Sequence, residues 1–245
     1  MAQGLSAPCS LLEWDSAFFR FRVAQVAGDR LSIKGGRDIL EWSQAQTIRC
    51  LYFLADASSP ETADAAHKLS FKMVDLRIQF VLDRKRRGTA TDTKVELRAP
   101  LASDVPALER IARSAHQDSR FFFDSGFPRA RAEDLFATWI ASDCAGRADR
   151  VFAISGEDGE PTGYITCNLI KDSNTGRIGL VGVADDARGK GFGKALVSGA
   201  LEWFWSVDVE KVAVVTQVRN VAAQRLYQAM GFRTDEVKIW YHRWF

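Results

Sequence analysis

Arg188-Gly-Lys-Gly-Phe-Gly-Lys194 gathers three alternating glycines and three cations between an apolar, strand-like run and the start of a helical one. No bulky side chain except Phe192 shields this backbone. The N–H groups of Arg188 to Lys194 can therefore point together at an anion, at the positive end of a helix dipole. The chemistry implied is a diphosphate cradle. Two other phosphate-binding loops fail on spacing. A dinucleotide fingerprint needs G-x-G-x-x-G, whereas Gly189, Gly191 and Gly193 alternate and position 194 is Lys. A Walker loop needs Ser or Thr after its Lys, and Ala195 follows Lys194. A tight turn that uses glycine for backbone reasons alone is the other reading of the loop.

A second segment, Asn220 to Phe232, follows a buried strand-like run and opens with a good helix cap. Arg-x-x-Gly-x-Gly from Arg188 and Asn-x-x-Ala-x-x-Leu-Tyr-x-x-x-Gly-Phe from Asn220 together resemble motifs A and B of the GNAT acyl-CoA N-acyltransferases. The resemblance covers Val95 to the C terminus. It implies an α/β fold with a mixed, mostly antiparallel central sheet and helices on both faces, and acetyl-CoA as co-substrate. The pyrophosphate is then expected over the amides of Arg188, Gly189, Lys190, Gly191, Phe192, Gly193 and Lys194. The strand edge Leu180, Val181, Gly182 and Val183 is expected to pair with the pantetheine amides as an added strand does. The thioester carbonyl is expected beside Val181, where two central strands splay. Asn220 has two roles to fill, a hydrogen bond to the pantetheine arm or helix capping alone.

Tyr227 is the expected catalytic acid. An amine that attacks a thioester expels a thiolate of pKa about 8.5, and a phenol of pKa about 10 can supply its proton. The alternative is a tyrosine that only packs beneath the loop. The attacking amine must itself be neutral, so its proton has to pass to a carboxylate, through water.

Further short matches extend the resemblance to members of the family that acetylate the amine of a nucleotide-linked amino sugar. They are Leu12 to Phe19 with Val23 to Val26, Ser119 to Phe121, Trp139-Ile140, Arg177 to Leu180, Thr216-Gln217 and Trp240-Tyr241. By position, Asp75 corresponds to the carboxylate that takes the amine's proton in those enzymes; its alternative is exposed strand filler. Arg120, Phe121 and Phe122 open a segment where acceptor loops lie, with Arg129 and Arg131 nearby. Their aromatics can stack on a base and their cations can meet a diphosphate, or the cluster is a lid's own core. Two other functions are weighed: acetylation of another small amine or a protein amine, and a non-catalytic acyl-CoA sensor.

These residues need elements to hold them. Charged, threonine-rich Asp83 to Lys94 marks the expected boundary, dividing a small α/β domain at 1–90, contributing to the acceptor site, from the acetyltransferase domain at 91–245. Before it, strands are expected at 21–26, 50–55 and 73–82 and helices at 37–49 and 61–69, the latter opened by Pro60. After it come a strand at 95–98, helices around Leu108 and at 132–142, and a meander of strands at 151–154, 162–170 and 177–183. A helix carrying Leu196 to Phe204, a strand at 211–216, a helix at 220–230 and a strand at 237–244 complete the order. The last of these, Val237 to Phe245, is a candidate for pairing across a homodimer.

Bulk properties narrow the rest. A net charge of +2, from 33 Lys and Arg against 31 Asp and Glu, gives no global basic face, so no nucleic-acid partner is expected. Four cysteines and three histidines are scattered without ligand spacing, so neither a metal nor a disulfide framework is expected. Met1 to Trp14 lacks a basic start followed by an apolar run, and nothing approaches the roughly 18 apolar residues of a membrane span. The expected setting is cytoplasmic, without membrane insertion.

Overall fold

A computed structural model of the chain describes residues 8–86, 97–156 and 159–245. In chain order the elements are β1 (Cys9–Leu11), α1 (Glu13–Phe19), β2 (Val23–Val26), α2 (Ile33–Ala45), β3 (Cys50–Asp56), α3 (Pro60–Lys68), β4 (Lys72–Asp83) and β5 (Leu97–Arg98). They continue with α4 (Val105–Ala115), α5 (Arg120–Phe123), α6 (Arg129–Ser142), β6 (Arg150–Ser155), β7 (Pro161–Ile170), β8 (Thr175–Val183), α7 (Phe192–Ser206), β9 (Lys211–Gln217), α8 (Val221–Ala229) and β10 (Arg233–Trp244).

The chain forms two compact units. The first joins residues 1–77, 120–128 and 237–245, and the second joins 78–119 and 129–236. The boundary expected at residue 90 lies outside the described residues, as does most of the charged segment around it.

In the first unit β1 runs antiparallel to β2, β2 parallel to β3, and β3 antiparallel to the end of β10, with Lys238 opposite Asp56 and Trp244 opposite Cys50. The segment considered for pairing across a dimer therefore pairs with β3 of its own chain. Leu51, Phe53, Ala55 and Tyr241 fill the core on one face, with Ile39, Ala65 and Ala66 from α2 and α3. Helix α2 starts four residues before the sequence pattern suggests. Ser32 caps it, its side chain accepting from Gly35 N at 3.1 Å. Gly35 and Gly36 look like breakers, yet a Cβ on Gly36 would sit 2.1 Å from Leu69 Cδ1. Close packing of α2 on its neighbour is what sets glycine there. Pro60 opens α3 behind the Ser59 cap, as expected.

The second unit is built on β5 to β9. β5, β6, β7 and β8 pair antiparallel in sequence and β8 pairs parallel with β9. Gly163 and Tyr164 are consecutive on β7 and face opposite ways. A Cβ on Gly163 would touch Leu196 of α7, whereas the Tyr164 hydroxyl bonds His116 just after α4. Helices thus cover both faces of this mixed sheet. The core beneath α7 comprises Leu196, Val197, Ala200 and Phe204 against Ile165, Ile178, Val212 and Val214.

Candidate active site

The glycine loop leaves β8 through a turn at Asp185–Ala187 and enters α7 at Phe192. Gly189 and Gly191 have φ of +79° and +85°, and a Cβ at either would meet nothing within 4 Å. Glycine is therefore set by backbone conformation and not by crowding. No side chain caps α7, so the first-turn amides are the helix's own unspent donors. Arg188, Lys190 and Lys194 are exposed around them, and Arg188 pairs with Asp185 at 2.7 Å. Open space over positive-φ glycines, free amides and three cations fit a diphosphate.

β8 carries the second half of the site. Its ladder with β9 runs from Thr175 opposite Lys211 to Ile178 opposite Val214. Beyond that, β8 continues to Val183 and β9 to Gln217 without register between them. The ladder between the two central strands thus ends before Val181, the residue beside which the resemblance implies a splay. Leu180 N donates to Thr166 Oγ1 at 2.8 Å and Ala184 N to Thr162 O at 2.8 Å, both toward β7. By alternation, Val181 and Val183 direct their backbone groups the other way, to the open edge. Gly182 is fitted to Tyr164, whose ring would lie 2.6 Å from a Cβ there. The Tyr164 hydroxyl is 2.8 Å from His116 Nε2. Burial, helped by the Arg188 charge, takes His116 down to about 4, so the ring is neutral at pH 7.

On α8, Asn220 accepts from Ala223 N at 2.9 Å through its side-chain oxygen. Capping is thus a role it fills, and its NH₂ group remains a donor for a second one. Tyr227 is the buried residue of α8, 4% exposed, packed against Phe80 and Phe232 at centroid distances of 6.0 and 5.8 Å. Among the described residues nothing hydrogen-bonds its hydroxyl. Burial raises its pKa, so the phenol stays protonated at any working pH.

Of the residues assigned to acceptor chemistry, Asp75, Arg120, Phe121 and Phe122 lie in the first unit and Arg129 and Arg131 in the second. Asp75 is 3% exposed, which removes the exposed-filler reading of that carboxylate; its Oδ1 accepts from Leu76 N at 2.8 Å. The guanidinium of Arg120 lies 4.1 Å from the Trp240 ring, 4.3 Å from Phe121 and 5.1 Å from Tyr52. Burial lowers its pKa, against the pull of Tyr52, Asp15 and Asp75. Phe121 is 2% exposed and belongs to an aromatic cluster with Phe19, Tyr52 and Phe127, Phe122 is half-buried, and Phe123 is exposed. Arg129 is paired with Glu133 at 3.2 Å.

No local signal in the chain marks a buried pair in the first unit. His242 Nδ1 lies 2.6 Å from Asp124 Oδ2, which also accepts from Trp244 Nε1 at 2.9 Å, while Asp124 Oδ1 accepts from Gly126 N. Burial works to raise Asp124, but hydrogen bonds from His242, Trp244 and Gly126 outweigh it and hold the carboxyl below its ordinary value. Burial takes His242 to about 4 despite Asp124. At pH 7 the carboxylate is ionised and the imidazole neutral, with Nδ1–H donating and Nε2 carrying the lone pair.

The two depressed histidines set a pH dependence of stability. Their contribution is full above their unfolded pKa of about 6.5 and is lost as pH falls toward about 4. Denaturation of the free protein is expected to show a loss on the order of a few kcal/mol that begins near pH 6.5, above the carboxylate range. A flat profile from pH 7 to 5 would show that these rings are not held neutral.

The sequence model described as the acetyltransferase (GNAT) family matches residues 110–232, a span that contains the open β8 edge, the glycine loop and Tyr227. Over 234 residues, 95% of this chain and 96% of the other, the sequence is 25% identical to dTDP-fucosamine acetyltransferase of Escherichia coli O6:H1. It is 31% identical over 149 residues, 61% of this chain, to the spore coat polysaccharide biosynthesis protein SpsD of Bacillus subtilis, and spans half of that protein's length. A GCN5-related N-acetyltransferase structure from Sphaerobacter thermophilus aligns with a TM-score of 0.70 over 96% of this chain and 76% of that one, at 15% identity. That last likeness is one of fold. Among the described residues there is no group of three or more potential metal ligands and no helix long and apolar enough to cross a membrane.

Proposed function

The chain belongs to the GNAT acetyltransferase family, and from that premise we propose that it acetylates the primary amine of a nucleotide-linked amino sugar. Acetyl-CoA is the family's co-substrate. The observation that carries the choice of acceptor is the match to dTDP-fucosamine acetyltransferase over 95% of the chain, both units included.

Each step falls to residues already described. The amides from Gly189 to Lys194, with Arg188, Lys190 and Lys194, hold the diphosphate. Val181 and Val183 offer their backbone groups to the pantetheine amides, which aligns the thioester at the splay. The amine then forms its C–N bond to the acetyl carbon as the C–S bond breaks. Tyr227 donates its phenolic proton to the departing sulfur, and the surplus proton on the newly acylated nitrogen returns the tyrosinate to its neutral form. Asp75 takes the proton of the acceptor's ammonium through water, restoring the neutral nucleophile.

A thiol-release assay with acetyl-CoA against nucleotide-linked amino sugars, free amino sugars, amino acids and peptide amines tests this. Release that is fastest with dTDP-fucosamine or a close relative is expected. Release only with amines that carry no nucleotide would overturn the acceptor assignment, and no release with any amine would favour an acyl-CoA sensor.

Asp75→Asn is expected to lower turnover roughly tenfold at pH 7 without changing the KM for acetyl-CoA. The loss should be largest at low pH, where the acceptor is protonated. It should shrink as pH passes the amine's own pKa of about 8. A loss that is uniform across pH would assign Asp75 to packing.

A further inference from the structure

Among the buried polar atoms of the first unit that find no hydrogen-bond partner among the described residues are Tyr52 Oη, His242 Nε2 and Arg120 Nε. Tyr52 is 1% exposed and His242 0%. Such groups are costly to leave unmet, because each has given up water. They are also neighbours. Tyr52 and His242 stand directly opposite each other on β3 and β10, so their side chains share one face, with ring centroids 4.7 Å apart. The Arg120 Cζ lies 5.1 Å from the Tyr52 ring. Arg120 as a whole is half-buried, so it links this cluster to the surface.

The hydrogen-bonding character of the three is specific. The Asp124 carboxylate holds Nδ1–H of His242 at 2.6 Å and leaves Nε2 as an acceptor. Arg120 Nε–H can only donate. The Tyr52 hydroxyl can donate as well. One acceptor and two donors together are the complement of a hydroxyl group, which has one proton to give and two lone pairs. A carboxylate has no proton for His242, and an ammonium has no lone pair for Arg120 or Tyr52.

We propose that Tyr52, His242 and Arg120 line one binding site for a sugar hydroxyl of the acceptor, with Asp124 as the positioning residue that fixes the histidine tautomer. This rests on the reading of the chain as an amino-sugar acetyltransferase. The ligand hydroxyl donates to His242 Nε2 and accepts from Tyr52 O–H and Arg120 Nε–H. An acceptor lacking that hydroxyl leaves all three unmet, so the site selects hydroxylated sugars over deoxy analogues.

Tyr52→Phe removes one oxygen and keeps the ring. The expected result is a KM for the acceptor raised roughly three- to tenfold, the range of a single neutral hydrogen bond, with the KM for acetyl-CoA unchanged. The free protein should melt at the same temperature or up to about 4 °C higher, because the variant no longer buries an unmet hydroxyl. An unchanged acceptor KM overturns the proposal. A lowered melting temperature of the free protein overturns it too, since the hydroxyl would then be satisfied without acceptor, as by an ordered water. If only an amine carrying no nucleotide is acetylated, the functional reading fails on its own, and the same comparison made with that amine still decides the pocket.

Discussion

Tyr227→Phe is expected to lower kcat by roughly 10²–10⁴-fold, the range of general acid catalysis, while acetyl-CoA affinity barely moves. The variant deletes one oxygen from a ring that is 4% exposed and packed against Phe80 and Phe232. Among the described residues nothing loses a hydrogen bond, so the fold has no reason to respond. The raised pKa adds a further condition. A phenol held protonated by its apolar surroundings is available at every working pH but is a weaker acid than in water. Its proton therefore follows the developing thiolate late, as the sulfur leaves, and a solvent isotope effect on kcat should accompany the wild type and vanish in the variant. Single-turnover rates equal to wild type, with chemistry rate-limiting, would reduce Tyr227 to packing.

Gly191→Val is expected to raise the KM and dissociation constant for acetyl-CoA roughly ten- to a hundredfold with the circular dichroism spectrum intact. Gly191 has φ of +85° at the N-cap of α7, a conformation that a β-branched residue avoids at a cost on the order of 1–2 kcal/mol. A Cβ there meets no neighbour, so the strain is relieved by turning the backbone, and the amides of Phe192, Gly193 and Lys194 turn with it. The buried face of α7, from Ala195 to Trp205, is untouched and keeps the helix in place. Gly193→Ala is the matched control. Its φ is not positive and its Cβ would sit 3.3 Å from the end of the Leu226 side chain, so affinity should change little. Equal acetyl-CoA affinity in Gly191→Val and wild type would remove the loop from cofactor binding.

The parts of the site that are legible in the chain alone are those made within one short segment. Alternating glycines before a helix announce positive φ and free amides, and Gly189 and Gly191 have both. Asn220 at the head of a helical run announces a cap, and its oxygen accepts from Ala223 N. The apolar run before the loop announces a strand, and β8 ends at Val183, just ahead of the turn into the loop. Where local signals mislead, packing is the reason: Gly35-Gly36 suggests a break, yet α2 passes through it because Leu69 needs the space over Gly36. Tertiary structure alone decided the rest. Asp75 sits in an alternating strand, and alternation says that a residue faces one side without saying which side is buried. Asp124 and His242 are separated by 118 residues, and Tyr52 meets His242 only through the register of β3 with β10. Residues 120–128 and 237–245 join the first unit although the chain leaves it at residue 77 and crosses the second before each return. Local sequence sets backbone conformation through forces that act over a few residues, whereas which side chains share a buried polar site depends on strand pairing between distant segments, whose energy is spread over the whole core.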